Sequence, residues 1–307
     1  MTSAVQYCAA LAARSVAHAL IIKGMSILVS PDELRDKIYR GDKTTILASL
    51  WAPGEGESYN QFSSLHIPTA HYGDAASAFV GLPGSQVGRN PLPDPAKVQE
   101  WVDDWGLRED YEVVVYDEGR GLFAGRAWWT LRWAGVQNVR ILDGGLAHWR
   151  DKRMATLTGP GNLGMTSTVT VAPGSMATAT IEDVKAHDGL LLDTRTRNRF
   201  AGRRENLDLK AGHIPGAVNL PERLFHTEDM TTWRSKDEIL DILAQHGVTK
   251  ENVDGAIIYS GSGNHSSLAI AVLEYVGFTG LRHFVGGWSQ WCADRSNPIE
   301  RGDREHV

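Results

Sequence analysis

The sequence predicts an α/β fold in two similar halves, each half a doubly wound parallel sheet with helices on both faces. Three observations predict it. Short β-branched runs such as EVVVYDEG (112–119) and GAIIYSGS (255–262) alternate with helical patterns, and parallel strands need crossover helices to join them. The same ordered set of segments occurs twice along the chain, which is the signature of a duplicated unit. In the second set a strand runs directly into a glycine-bearing loop and a helix, IIYSGSGNHSSLAI at 257–270, a common way to hold an anion at the carboxyl end of a sheet.

The paired segments justify each element in turn. SPDELRDKI (30–38) answers TIEDVKAH (180–187). Each opens with a hydroxyl N-cap and carries an acid three residues on, Glu33 or Asp183, and Pro31 sits at the first helical position of the first copy. TTILASLW (44–51) answers GLLLDTR (189–195) as a strand, and LHIPTAH (65–71) answers GHIPGAVNLP (212–221). EVVVYDEG answers GAIIYSGS, again as a strand, and LDGGLAHW (142–149) answers FVGGWSQW (284–291). Five matches in order at near-constant offset place the domains at 25–150 and 178–307. Between them, 151–177 is rich in Gly, Thr, Ser and Pro and reads as an extended linker with one strand at 166–171. Residues 1–24 are alanine-rich, but Arg14 and His18 interrupt the apolar run and no basic region precedes it, so an N-terminal extension is expected rather than a membrane span or a signal peptide.

Composition narrows the classes. A chain of 307 residues with 42% hydrophobic and 22% charged residues has the material for two cores. A formal charge of −6 argues against a general nucleic-acid binder, and no membrane partner is expected. Cys8 and Cys292 are the only cysteines and stand far apart, so no disulfide framework is expected and a cytoplasmic setting fits.

The six residues Ser260, Gly261, Ser262, Gly263, Asn264 and His265 form the loop that carries chemistry. Free N–H groups of the first helical turn point into such a loop and lower the pKa of a thiol held there, and the two glycines permit positive φ. Other anion loops fit worse: there is no lysine for a P-loop and no G-x-S-x-G for a hydrolase elbow. A plain polar strand-to-helix turn capped by Ser266 is the simplest alternative.

With the duplication, the D-x-R…RF stretch at 193–200, GHIPGAVNLP and the Gly-Gly-Trp turn, the chain resembles the two-domain rhodanese family of sulfurtransferases from about Met25 to Asp294. The resemblance implies tandem rhodanese-like domains and a sulfane sulfur moved from a small anionic donor, thiosulfate or 3-mercaptopyruvate, to cyanide or a thiol acceptor. It implies a persulfide on a cysteine opening the 260–265 loop, and no metal or cofactor. It carries the anion-binding arginine onto Arg199, and Arg203 is a candidate second arginine. It places Asp74, Ser262 and Asn90 in a proton-handling set in which Asn90 stands where a histidine often lies, with His265 a local candidate replacement. The S-G-S-G order is closer to the mercaptopyruvate type. Asp193 and His213 are expected to be structural, Arg197 and Arg204 solvated, and Cys292 buried. Asp117 occupies the first copy's equivalent of Ser260, so that copy is expected to repel the donor and serve as a wall of the cleft. Ser260 cannot form a persulfide, whether it replaces a cysteine by engineering or by nature. The alternative class is therefore a non-catalytic protein that binds an anion or persulfide in the same cradle.

Overall fold

The structure, a computed structural model, describes residues 26–303; the extension expected over 1–24 lies outside the described residues. In the first half the order is β1 (Leu28–Val29), α1 (Pro31–Arg40), β2 (Thr44–Leu50), α2 (Glu57–Ser64), β3 (Ala70–Asp74), α3 (Pro95–Asp104), β4 (Glu112–Tyr116), α4 (Leu122–Trp133), β5 (Val139–Leu142) and α5 (Gly145–Asp151). The second half has α6 (Ile181–Ala186), β6 (Leu191–Asp193), α7 (Arg197–Phe200), β7 (Val218–Asn219), a 3₁₀ turn at Glu222–Phe225, α8 (Lys236–Gln245), β8 (Ile257–Tyr259), α9 (Asn264–Tyr275), β9 (Arg282–Phe284) and α10 (Gly287–Trp291). The caps form as the sequence indicates. Ser30 Oγ accepts from the Glu33 amide at 3.1 Å, and Thr180 and Asp183 close a reciprocal capping box.

Both sheets are parallel. The first runs β1-β5-β4-β2-β3 and the second β7-β6-β8-β9. Thr178 bridges His283 of β9 in parallel, as β1 pairs with β5, so the strand orders coincide. The halves also repeat one another in side-chain detail. Tyr116 ends β4 and its hydroxyl accepts from the Ile67 amide at 3.4 Å; Tyr259 ends β8 and accepts from Ile214 at 3.2 Å. His66 Nδ1 is 2.9 Å from Phe62 O and its ring stacks on Phe62, while His213 Nδ1 is 2.8 Å from Phe200 O and stacks on Phe200. Trp149 and Trp291 each donate to a backbone carbonyl at 2.8 Å, Ala155 O and Pro298 O.

Strand alternation divides the core. One face of each sheet, carrying Leu47, Val113 and Val115 in the first and Leu192 and Ile258 in the second, joins a single cluster shared by both halves. The opposite faces make separate cores, one around Ile46, Val114 and Trp149 and one around Leu191, Ile257 and Trp288. Helices α4 and α9 cross inside the shared core. A Cβ at Gly125 would lie 2.9 Å from Leu268 Cα, so only glycine permits that approach. Almost every side of α4 is covered, which is why it lacks a polar face.

The connection between the halves departs from expectation. No strand forms at 166–171. The extended chain instead lies against the first half, with the Thr168 amide donating to Leu107 O, Val171 to the Gln99 side chain and Ala172 to Ala134 O. Its backbone groups find scattered acceptors rather than a partner strand, which satisfies them without a ladder. Among the described residues, no helix is long and apolar enough to cross a membrane.

Candidate active site

β8 and β6 lie where the strand order reverses, and the chain leaves the carboxyl end of β8 at Ser260. This is the position at which doubly wound sheets present ligand sites. Gly263 is the N-cap of α9, with φ 90°. A side chain there would collide with Arg126 Nη1 at 2.6 Å and Val285 O at 2.9 Å. The amides of Asn264, His265 and Ser266 open the helix and have no acceptor within it. The Gly-Gly-Trp turn ties the loop down: the Trp288 amide donates to Ser260 O at 2.7 Å and the Ser289 amide to Gly261 O at 2.9 Å. Ser260 is 0% exposed. Its Oγ accepts from the Gly263 amide at 3.0 Å and lies 3.1 Å from Ser266 Oγ, which is 2.7 Å from His283 Nε2.

The first copy shows what such a loop holds. The Asp117 carboxylate is buried and accepts four backbone N–H groups, from Gly119 at 2.9 Å, Gly121 at 3.0 Å, Phe123 at 2.9 Å and Ala124 at 3.3 Å. Gly121 caps α4 with φ 75°, as Gly263 caps α9. The N–H ring is an anion cradle, and in the first copy its own aspartate fills it. Asp117 thus does more than repel an anion, since it occupies the anion's place. Segments 226–233 of the second half close over this loop, with the Trp233 amide donating to Asp143 Oδ1 at 3.0 Å and His226 Nε2 3.0 Å from Arg120 O.

The first half closes over the Ser260 loop in the same way. Asn90 Nδ2 donates to Ser262 Oγ at 3.0 Å, and the Arg89 amide donates to Ser289 Oγ at 3.0 Å. Arg199 comes from the second half. A Cβ on Gly261 would lie 3.0 Å from Arg89 Nη2 and 3.1 Å from Arg199 Nη1, so two guanidiniums flank the residue after Ser260. Arg199 is paired with Glu205 and Asp208 at 2.9 and 2.8 Å. Arg126, fully buried on α4, donates to Phe79 O, Asn90 O and Pro91 O, while its Nη1 has no hydrogen-bond partner among the described residues. Burial draws its pKa down to about 9. His283 is held well below the ordinary histidine range, first by burial and then by the charge on Arg126. A cleft of about 180 Å³ between Pro83, Gly88, Arg89, Leu207, Asp208 and Ser289 adjoins the pair. A larger cavity, about 470 Å³ and lined by Glu57, Ser64, Glu118 and Arg150, lies on the first half, away from the Ser260 loop.

The description "Rhodanese-like domain" fits residues 30–152 and again 176–294. The chain belongs to the rhodanese-like family. It is 34% identical over 281 residues to the "Putative thiosulfate sulfurtransferase SseB" of Mycobacterium tuberculosis, covering 90% of this chain and 97% of that one. It is 30% identical over 285 residues to the 3-mercaptopyruvate sulfurtransferase of Escherichia coli, covering 89% and 97%. The crystal structure of SseA from Escherichia coli, a 3-mercaptopyruvate sulfurtransferase by its description, superposes with a TM-score of 0.75 at 27% identity, over 86% of this chain and all of that one.

Within this rhodanese-like frame the sequence candidates separate. Ser260, Gly261, Ser262, Gly263, Asn90 and Arg199 come together at the loop. Arg203 does not: it is 53% exposed and pairs with Asp303, because the turn after Phe200 aims it outward. Asp74 also stays away, accepting from the Ala76 amide at 2.7 Å and the Tyr72 hydroxyl at 3.4 Å. His265 turns to Glu222 at 2.9 Å rather than to Ser260 or Ser262. The Asn264 side-chain oxygen is buried without a hydrogen-bond partner among the described residues. Arg197 is exposed and pairs with Asp303, Asp193 pairs with the buried Arg195 at 2.6 Å, and Cys292 is buried. Among the described residues no cluster of His, Cys, Asp and Glu is grouped to hold a metal ion. Sequence reasoning missed Arg89, Arg126, Glu205, Asp208 and His283. Arg89 stands beside Asn90 in GRNPLP and was within its reach; the others are set by tertiary contacts with no local signature.

Proposed function

We propose that this chain is a sulfurtransferase scaffold whose sulfur-carrying position is residue 260. The observation that carries the reading is the Asp117 cradle. The first copy's loop binds a carboxylate through four amides, and the second copy presents the matching helix N-terminus with a small, neutral side chain in that place. The domains are taken as 25–150 and 178–307, joined by 151–177. A thiolate at position 260 would attack the outer sulfur of thiosulfate, or the sulfur of 3-mercaptopyruvate. The new S–S bond forms as the donor's bond to that sulfur breaks, releasing sulfite or, with a proton, pyruvate. The outer sulfur of the persulfide then passes to cyanide or a thiol, regenerating the thiolate. Arg199 would hold the donor's oxyanion, since a guanidinium can give it two parallel hydrogen bonds. The two widely separated cysteines, Cys8 and Cys292, support a cytoplasmic place.

Ser260 removes the first step. An alcohol with no base stays protonated where a thiol at a helix N-terminus ionises, and a hydroxyl stores no sulfane sulfur. Ser260 is also what favours the second reading, a non-catalytic protein that binds an anion or persulfide. The test is thiocyanate production from cyanide with each donor. The serine chain is expected to give none, and Ser260→Cys to turn over at least one donor. Equal turnover by both would end the proposal, and a well-folded Ser260→Cys without turnover would favour the binding protein.

A further inference from the structure

The donor site needs more cation than Arg199 provides, because Arg199 is already engaged by Glu205 and Asp208. Arg89 supplies it from the other half of the molecule. Its Nη2 and Arg199 Nη1 both face Gly261, and neither nitrogen has a hydrogen-bond partner among the described residues. The opposite edges of the two guanidiniums converge on one side chain. Asp208 Oδ1 lies 3.3 Å from Arg89 Nε, and Asp208 Oδ2 lies 2.8 Å from Arg199 Nη2. The Asp208 side chain is only 2% exposed.

We propose that Asp208 is a positioning residue that joins Arg89 and Arg199 into one oxyanion-binding fork across the two halves, above Gly261. The proposal rests on the sulfurtransferase reading of the same loop and deepens it by assigning the donor's head group to this fork. Two guanidiniums side by side repel each other, and a carboxylate with one oxygen on each offsets that repulsion and fixes their separation. The ligand class is a compact group with two or three equivalent oxygens, a sulfonate or a carboxylate. Its sulfur end then lies toward Ser260, one residue from Gly261. A carboxylate that merely plugged the site would occupy the nitrogens facing Gly261. Asp208 instead lies on the far edges, accepting a hydrogen bond from Arg199 Nη2 and standing within ion-pair range of Arg89 Nε, which makes no hydrogen bond among the described residues.

The two arrangements give opposite signs. Sodium thiosulfate, which the serine chain is expected to bind without reacting, is titrated calorimetrically into the full chain and its variants. Asp208→Asn keeps shape and removes the charge, and it is expected to weaken binding about 10- to 100-fold, the loss of a charge-assisted contact. Asp208→Glu recovers part of that loss. Arg89→Gln, at a partly exposed position that folding tolerates, is expected to weaken binding to a similar degree, and Arg89→Gln with Asp208→Asn little further. Tighter or unchanged binding in Asp208→Asn overturns the proposal, as does unchanged binding in Arg89→Gln or no binding by the parent chain. Sulfur uptake by Ser260→Cys reports separately on the parent reading. Uptake with an indifferent Arg89→Gln sinks the fork alone, and absence of uptake sinks the reading itself.

Discussion

The hydroxyl of Ser260 stands at the end of a buried polar row, Ser260 to Ser266 to His283, with Arg126 behind it. His283 is too deeply buried to take up a proton as a base, so its work is to orient Ser266. That has a consequence for stability. In the unfolded chain His283 binds a proton near its ordinary pKa of about 6.5, whereas in the fold it stays neutral well below that. The unfolded state therefore binds more protons under about pH 6.5. The neutral His283 therefore costs the fold nothing above that pH and destabilises it as the pH drops through that value. The cost is at most about 1.4 kcal/mol per pH unit for one histidine. His283→Gln keeps a polar partner for Ser266 and removes the titration. Urea melts at pH 6.5 and pH 5 are expected to show a shallower loss in the variant, although His71, also lowered by burial, contributes in both proteins. The same acid slope in both would show that His283 is not a neutral buried group. Nothing in RHFVGGW marks this histidine, because its partners lie on α4 and α9; Ser260 was legible because its loop, strand and helix are consecutive in the sequence.

The crossing of α4 and α9 brings the two loops onto one framework. Each helix begins at its loop's glycine cap, and the pair meets at Gly125 and Leu268. Gly125→Val places new methyl groups against Leu268 Cα, a backbone atom that cannot swing away. The variant is expected to lose about 1–3 kcal/mol in denaturant unfolding, with the loss appearing in both halves as one transition. Unchanged stability would mean that the helices can separate without cost. Elements were read well wherever a local rule governs them: the capped helices α1 and α6, the strand pairs and both glycine loops follow from spacing alone. The linker strand at 166–171 was not, because β propensity says nothing about whether a neighbouring edge is available. Arg203 failed for a related reason. Its neighbour Arg199 sits on the short helix α7, while Arg203 lies past the turn, and sequence proximity does not fix direction there.

At the scale of the whole molecule, duplication gives two loops with one plan, and their occupants decide their roles. The shared core fixes the halves so that each covers the other's loop, with Asn90 on Ser262 in one place and His226 on Arg120 in the other. The first loop is closed by Asp117 from within. The second holds only the Ser260 hydroxyl, which accepts from the Gly263 amide. The two-domain plan was legible in the sequence, but the exchange of covering segments was not, since it depends on how the sheets pack. The most direct measurement is the mass of Ser260→Cys after exposure to thiosulfate or 3-mercaptopyruvate, followed by peptide mapping. The account predicts one added sulfur, confined to the peptide containing residue 260, and none on the serine chain. A well-folded variant with no added sulfur, or sulfur found only on peptides containing Cys8 or Cys292, would contradict it.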